Sequence, residues 1–147
     1  MTTHPKVTLP LELGVGGGDV AVTCPSIDLR VRVQPHAVVV MFRGEIDASN
    51  ADCVTEHIQS FLFPERLLVV DFSQVLYCAA AGLQALVDLD ALCHRTRVPW
   101  TLVPSRDVQR LLSLDLVDRP IRVSPSVSDA VYGTKIHHHL HPPQTKA

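Results

Sequence analysis

The sequence lacks several features that mark particular classes of protein. Its apolar runs fall well short of the roughly 18 residues that a membrane-spanning helix needs. The N-terminal MTTHPKVTLPLELG has neither the basic start nor the apolar block of a secretory signal. The 13 Lys and Arg are scattered rather than gathered into a basic stripe that would attract nucleic acid. These absences predict a cytoplasmic protein that has neither a membrane nor a nucleic acid as partner.

Cysteine is sparse and is not arranged in pairs. The four cysteines are Cys24, Cys53, Cys78 and Cys93, and none forms a CxxC motif. Their wide spacing, in a chain expected in the cytoplasm, does not indicate a disulfide framework. A free cysteine on a helix usually behaves as a small buried hydrophobic residue. All four are therefore expected to be structural.

Metal and phosphate motifs are also lacking. His36, His57 and His94 stand singly on a predicted turn and two predicted helices, which is poor spacing for metal ligands, and the HHHLH tract at 137–141 predicts only a weak, adventitious metal site. The run GVGGGD lacks both the third glycine of a dinucleotide fingerprint and a Walker lysine, so it is interpreted as a linker. No cofactor or specific metal site is expected.

Length and composition predict one globular domain with two extensions. The chain has 147 residues, of which 46% are hydrophobic and 19% charged. Residues 1–25 contain three prolines and the glycine run, which predicts a flexible N-terminal arm. The domain is expected over residues 26–132. Residues 133–147, with HHHLH and two prolines, are expected to form a flexible C-terminal tail.

Hydrophobic periodicity predicts an α/β fold. Strict alternation over 27–33 and a β-branched run over 37–42 predict two strands of a hairpin. Later patterns predict, in order, a helix at 51–62, a short buried strand at 67–70, a helix after the three alanines, a strand at 100–103, a helix capped by Ser105, a strand at 121–123 and a helix capped by Ser126. We therefore expect a mixed sheet of four or five strands, with about four helices packed mainly on one face.

Three carboxylates near predicted strand ends are candidates for acid–base chemistry. They are Glu45, Asp47 and Asp71. A pair such as Asp47 and Asp71 could serve as acid and base if the two were held together. The commoner role is structural, in which Asp47 caps a helix and Asp71 orders a loop. No nucleophile elbow accompanies them, so an enzyme is the least favoured of the hypotheses.

Two motifs resemble those of the STAS domain family, and specifically of bacterial anti-sigma factor antagonists. They are GEID at 44–47 and DFSQVLYCAAAGLQAL at 71–86, and the resemblance extends over residues 27–132. The residues that keep the family pattern are Gly44, Glu45, Asp47, Asp71, Ser73, Val75, Tyr77, Gly82 and Leu83. The resemblance implies a STAS-like fold and a partner that is an anti-sigma factor and a serine-kinase-like ATPase. Binding would free a sigma factor, and phosphorylation of a serine at the helix start would end the binding.

The chain departs from the family pattern at that helix start. Ala79 stands where the family has aspartate, and Ala80 stands at the position of the phosphoacceptor serine. Alanine has no hydroxyl, so the usual switch cannot operate there. Ala79 also removes a potential helix cap, which typically contributes about 1 kcal/mol. Ser73 and Ser105 are weaker candidates for a substitute phosphoacceptor.

Several functional hypotheses follow from the resemblance. The first is an anti-sigma factor antagonist that is not an enzyme and is not controlled by phosphorylation at the usual position. A monomer and a homo-oligomer are both compatible with it. The residues predicted to bind the partner lie where the loops after the second and third strands are expected to meet the helix start, a usual place for recognition. They are Asp47, Ser49, Tyr77, Cys78, Ala79, Ala80 and Gln84. The alternative is a STAS-type sensor module that binds an anion or a nucleotide at the uncapped helix N-terminus, where free amides and the helix dipole favour negative charge.

Overall fold

The computed structural model describes residues 19–114 and 120–133, with side chains from Cys24 onward. Its core is one five-stranded sheet in the order β1-β2-β3-β4-β5. The strands are β1 Asp19–Cys24, β2 Ile27–Val33, β3 Ala37–Ile46, β4 Leu67–Cys78 and β5 Trp100–Val103. β1, β2 and β3 pair antiparallel, whereas β3, β4 and β5 pair parallel. The predicted mixed sheet is confirmed.

The helices cover the two faces of this sheet unequally. They are α1 Ala51–Gln59, α2 Ala80–Thr96 and α3 Arg106–Leu112, followed by a π-helical turn at Asp129–Gly133. Buried residues of α1, α2 and α3 share one core with one face of the sheet, while Ala130 of the π-helical turn packs in a smaller core that includes Val39 and Val69. Because successive strand residues point to opposite faces, three helices lie on one face, as predicted.

The predicted hairpin is present with the expected register. In β2, Leu29 and Val31 are buried while Arg30 between them is exposed, which is the alternation of a half-buried strand. Val31 pairs with Val40, and the turn is closed by a 2.8 Å hydrogen bond from the Gln34 N–H to the Ala37 carbonyl. β-branched side chains at these positions suit the pleated, buried surface.

The prediction of a flexible arm over residues 1–25 is wrong for its last part. Residues 19–24 form β1, which pairs with β2 from Asp19↔Arg32 to Cys24↔Ile27. The short segment DVAVTC follows a glycine run and was therefore included in the predicted arm. It pairs with the edge of β2 that β3 leaves free. Residues 1–18 and the predicted tail from 134 onward lie outside the described residues.

The strand predicted at 121–123 is also wrong. Val123 makes only an isolated parallel bridge to Leu102, supported by a 2.9 Å hydrogen bond from the Leu102 N–H to the Arg122 carbonyl. The last helix begins as predicted, since the Ser126 hydroxyl accepts a 3.0 Å hydrogen bond from the Asp129 N–H. It then continues as the π-helical turn rather than as a longer α-helix.

β4 is longer than predicted and contains two bulges. It has 12 residues beside the 10 of β3, and the register shifts twice, between Met41 and Arg43 and between Gly44 and Glu45. Each shift places one extra residue in β4. At the first bulge, the Asp71 carboxylate accepts a 2.9 Å hydrogen bond from the Ser73 N–H. Asp71 was predicted near a strand end. It lies instead inside β4, where it orders a bulge.

The expectation that all four cysteines are unpaired is wrong for two of them. Cys24 and Cys53 form a disulfide whose Cα atoms are 6.1 Å apart, whereas Cys78 and Cys93 are free and buried. The physical reason is β1, which the sequence patterns missed and which brings Cys24 beside α1. Among the described residues, no helix is both long and apolar enough to cross a membrane.

Candidate functional site

The ends of β3 and β4 lie side by side, and their following segments form one surface. Ile46 pairs with Cys78, and the Ala79 N–H donates a 2.9 Å hydrogen bond to the Ile46 carbonyl. The loop 47–50 leaves β3 at the same edge where α2 leaves β4. The carboxyl ends of parallel strands are the usual place for binding sites in such folds. The structure therefore brings the two family-like motifs together.

Hydrogen bonds within the loop 47–50 fix its shape. The Ser49 hydroxyl and N–H donate to one carboxylate oxygen of Asp47 at 2.6 and 2.9 Å. The Asp47 N–H donates to the Asn50 side-chain oxygen at 3.0 Å. The bonds from Ser49 stabilise the charged carboxylate and lower the pKa of Asp47 below its ordinary value. These bonds therefore favour the charged form of Asp47 close to the start of α1.

Asn50 anchors this loop, and sequence reasoning missed it. Its side chain is fully buried, and its amide nitrogen donates to the Pro25 carbonyl at 2.5 Å and to the Glu45 carbonyl at 2.8 Å. The bond to Pro25 ties the loop to the β1–β2 turn, and the bond to Glu45 ties it to β3. Asn50 occupies the N-cap position of α1, but its side chain makes no cap hydrogen bond. Only the fold shows that two carbonyls converge on it.

The start of α2 is the segment of three alanines. Ala79 occupies the N-cap position with φ −83° and ψ 174°, and no side chain caps the helix. The N–H groups of Gly82 and Leu83 both donate to the Ala79 carbonyl, at 2.9 and 3.3 Å. Ala80, at the position that the family resemblance predicts for the phosphoacceptor, is exposed, while Ala79 and Ala81 are half-buried. This predicted position therefore faces solvent but carries only a methyl group.

Gly82 allows α2 to approach the strand ends closely. A Cβ atom at this position would lie 2.5 Å from the Cys78 sulfur and 2.9 Å from Cγ2 of Ile46. The Cys78 side chain is consequently buried, and this burial, together with the nearby Asp107 carboxylate, raises the pKa of Cys78 to about 11. Of the residues predicted to contact a partner, Cys78 is the buried one, so it supports the surface from below.

Two apolar side chains project from the second bulge of β4. Leu76 is 76% exposed and Tyr77 is 50% exposed. Tyr77 was predicted as a contact residue, whereas Leu76 was not. The available signal was an apolar residue directly before Tyr77 in the second motif. Large apolar side chains that are this exposed, beside a polar rim, are typical of interaction surfaces.

The remaining predicted residues lie at separate places in the fold. Gln84 is exposed on the first turns of α2, where its side-chain amide donates a 3.0 Å hydrogen bond to Asp88. Asp71 pairs with Met41, six residues before Asp47 on β3, so the two carboxylates lie about 20 Å apart along the strand direction. They cannot share one acid–base site.

The two serines considered as substitute phosphoacceptors have other positions. Ser73, beside Asp71, is similarly remote from Ala80. Ser105 caps α3, where its hydroxyl accepts a 3.2 Å hydrogen bond from the Val108 N–H.

Comparison with known families now identifies the domain. Residues 28–130 match the model of the STAS domain, which is well over half of the chain. The chain belongs to the STAS domain family. A curated relative, Osmosensory protein A of Mycobacterium tuberculosis, is 33% identical over 104 residues, which cover 71% of this chain. The match spans 66% of that relative's length, slightly less than two thirds.

Solved structures show the same fold. An anti-sigma factor antagonist from Mycobacterium paratuberculosis is similar with a TM-score of 0.64 and 23% identity, covering 78% of this chain and 99% of that one. The unphosphorylated anti-sigma factor antagonist SpoIIAA gives 0.59 and 14%, covering 73% and 96%. A part of the murine anion transporter Slc26a9 gives 0.63 and 18%, covering 86% of this chain and 24% of that one. At these identities the likeness shows the fold alone.

The STAS motif residues have visible structural roles in this chain. Gly44 has φ +131°, a conformation that side chains rarely adopt, and a Cβ there would collide with the Ser26 carbonyl oxygen. The neighbouring Glu45 N–H donates a 3.1 Å hydrogen bond to that same carbonyl. The missing side chain at Gly44 lets β3 approach the β1–β2 turn, and the missing side chain at Gly82 lets α2 approach the strand ends.

Proposed function

We propose that this STAS domain is an anti-sigma factor antagonist that acts without phosphorylation control at the usual serine position. It would bind an anti-sigma factor, a serine-kinase-like ATPase, in the cytoplasm and thereby release a sigma factor. Family membership supports a binding module, and the fold is shared with two anti-sigma factor antagonists. The proposal includes no catalytic step by this chain, since Asp47 and Asp71, the pair considered for acid–base chemistry, lie far apart.

The observation that carries the proposal is an exposed apolar pair next to an unmodifiable helix start. The docking surface is defined as Leu76, Tyr77, Ala79, Ala80, Gln84 and the loop 47–50. It combines two exposed apolar side chains with the Asp47 carboxylate and the Gln84 amide. A partner would bury Leu76 and Tyr77, and aromatic side chains in such positions often dominate the binding free energy.

The missing hydroxyl at Ala80 determines how such binding would be regulated. In a phosphorylatable protein, a phosphate here would add about two negative charges beside Asp47. Ala80 offers no oxygen to phosphorylate, and the exposed methyl group keeps the surface uncharged at its centre. We therefore propose that binding to the anti-sigma factor is insensitive to ATP and does not require a phosphatase.

An alternative function has one specific observation in its favour. The first turn of α2 has neither a side-chain cap nor an acidic residue, so an anion or nucleotide could occupy the helix N-terminus in a sensor module. Inorganic phosphate or ATP would then raise the melting temperature of the isolated protein. Under the antagonist proposal, neither addition changes the melting temperature.

A binding measurement with matched tyrosine variants tests the docking surface. Isothermal titration of the purified protein against the anti-sigma factors encoded in the same genome should identify one that binds. Tyr77→Ala should then weaken binding by about 30-fold, the equivalent of a 2 kcal/mol hot spot. Tyr132→Ala is the control, since Tyr132 is 56% exposed but belongs to the π-helical turn, which packs near Val39 and Val69, away from the ends of β3 and β4. Equal effects of the two substitutions would locate binding elsewhere.

A further inference from the structure

A disulfide joins the β1–β2 turn to the helix that follows the loop 47–50. Cys24 ends β1, Cys53 lies in the first turn of α1, and their Cα atoms are 6.1 Å apart. Cys53 is three residues after Asn50, the last residue of the loop. The loop 47–50 belongs to the docking surface, so the disulfide constrains one side of that surface.

The β1–β2 turn makes two further bonds to the segment that carries the loop. The Pro25 carbonyl accepts a hydrogen bond from the side-chain amide of Asn50. The Ser26 carbonyl accepts a 3.1 Å hydrogen bond from the Glu45 N–H, two residues before the loop begins. The shape of the loop 47–50 therefore depends on where this turn is held.

The turn has a backbone conformation that needs support from its surroundings. Ser26 has φ +64°, in the left-handed region that is uncommon for a residue with a side chain. Such a conformation persists only where neighbouring contacts impose it. β1, which leads into the turn, is the first strand of the sheet and pairs with β2 alone. Among the constraints on the turn, the disulfide is the one that a change of redox state removes.

The two sulfurs differ in their access to small molecules. Cys24 is 2% exposed, whereas Cys53 is half-buried. The first turn of a helix also favours negative charge, which stabilises a thiolate there. Cys53 is therefore the residue of the pair that exchanges first with a small thiol or disulfide.

We propose that Cys24 and Cys53 form a redox modification site, whose oxidation by a small disulfide fixes the loop 47–50 and strengthens binding to the anti-sigma factor. This inference rests on the proposed function and on the cytoplasmic location, where thiols are kept reduced and the dithiol is the resting form.

The oxidation proceeds by two exchange steps. The Cys53 thiolate attacks the small disulfide, which forms a mixed disulfide and releases one small thiolate. The Cys24 thiol then loses its proton and attacks the Cys53 sulfur, which forms the protein disulfide and releases the second small thiolate. In total, two protein thiols and one small disulfide become one protein disulfide and two small thiols.

The effect on binding follows from the order of the loop before the partner arrives. The dithiol form keeps the hydrogen bonds of Asn50 and Glu45 but lets the turn relax at Ser26. The loop 47–50 must then be ordered when the partner binds, which weakens the affinity. The disulfide orders the loop in advance. A rise in small disulfides in the cell therefore increases the release of the sigma factor.

The other two cysteines do not compete in this exchange. Burial raises the pKa of Cys78 to about 11 and that of Cys93 to about 12, with smaller contributions from Asp107 and Asp90 respectively. Both remain protonated thiols at neutral pH and react slowly with disulfides. The exchange is therefore expected at Cys24 and Cys53 alone.

Oxidised glutathione is the probe for the modification. The full chain, reduced and then freed of reductant without oxygen, is incubated with it at neutral pH and mapped by mass spectrometry. The Cys24–Cys53 disulfide should form, with two glutathione thiols released per chain. Backbone NMR order parameters of residues 47–50 should be lower in the reduced form by about 0.1 or more. Those of β5, at the opposite edge of the sheet, are the internal control and should not change.

Affinity is then measured by isothermal titration with the anti-sigma factor. The oxidised protein should bind at least about fivefold more tightly than the reduced protein. Cys53→Ser should bind as weakly as the reduced wild type, with or without oxidised glutathione. Cys93→Ala is the matched control, since it removes a thiol outside the disulfide and should keep the difference between the two redox forms.

The possible results separate this inference from the proposed function. Equal affinity of the oxidised and reduced forms overturns redox control and leaves the antagonist role standing. If no anti-sigma factor binds either form, the proposed function fails, while a loop that becomes ordered on oxidation still supports the redox site. The inference is also overturned if oxidised glutathione does not produce the Cys24–Cys53 disulfide, or if the loop is equally ordered in both forms. A reduced protein that is unfolded by circular dichroism overturns it as well, because the disulfide would then be purely structural.

Discussion

The Ala79 N–H and the Ile46 carbonyl are joined by a 2.9 Å hydrogen bond, which fastens the start of α2 to the end of β3. Because Ala79 lies between β4 and α2, this bond connects the ends of β3 and β4 to the start of α2 at one edge of the sheet. The loop 47–50 and the exposed bulge at Leu76 and Tyr77 are both built on that edge. If the proposed docking surface binds a partner, a surface supported in this way would need little ordering.

Gly82→Ala should destabilise the domain because the added methyl group would overlap Cys78 and Ile46. Overpacking of this kind costs about 1–3 kcal/mol, which urea unfolding followed by circular dichroism would detect. Gly133→Ala is the control, because no described residue lies within 4 Å of a Cβ at Gly133. Equal stability of wild type and Gly82→Ala would show that α2 is not fixed against the strand ends.

Leu86→Asp should unfold the domain. Leu86 is 1% exposed in the main core, so the substitution buries a charge that has no partner there. Asp88→Ala changes the exposed side of the same helix and should alter the free energy of unfolding by less than about 1 kcal/mol. A Leu86→Asp variant that melts at the wild-type temperature would contradict the helix orientation.

Ser49→Ala should raise the pKa of Asp47 toward its ordinary value of 3.8, because the hydroxyl bond is the largest cause of its lowering. A lowered carboxyl pKa contributes stability that is present above the unfolded-state pKa and is lost as the pH falls through the folded-state pKa. The stability difference between wild type and variant should therefore vanish in acid. Carboxyl NMR titration checks the pKa, with Ser60→Ala as control, since the Ser60 hydroxyl donates to the Glu56 carbonyl instead.

The sequence was sufficient for the elements whose burial follows a regular period. β2 alternates strictly, and α2 buries Leu83, Leu86, Leu89 and Cys93 as its spacing predicts. The resemblance of the two motifs also predicted correctly that the chain is a STAS domain. Local patterns work here because each such element has one face covered and one face in solvent.

Features that depend on pairing between distant segments were not predictable. β1 is short and follows a glycine run, and only the free edge of β2 gives it a partner. The disulfide depends in turn on β1, because Cys24 and Cys53 are 29 residues apart in the chain. The bulges of β4 are visible only against β3, so Leu76 and the strand position of Asp71 were missed. Asn50 was missed because two distant carbonyls define its role.

The ATP dependence of binding tests the central claim most directly. The natural protein and the Ala79→Asp/Ala80→Ser double variant would each be incubated with the anti-sigma factor identified by titration, with and without ATP and Mg²⁺. Incorporated phosphate is located by mass spectrometry, and affinity is measured in each condition. We predict that the natural protein takes up no phosphate at residues 79–81 and binds equally with and without ATP. The double variant should be phosphorylated at position 80 and released, since the phosphate adds about two charges to the docking surface. If the natural protein is phosphorylated elsewhere and released as readily as the variant, the proposal that it acts without phosphorylation control is contradicted.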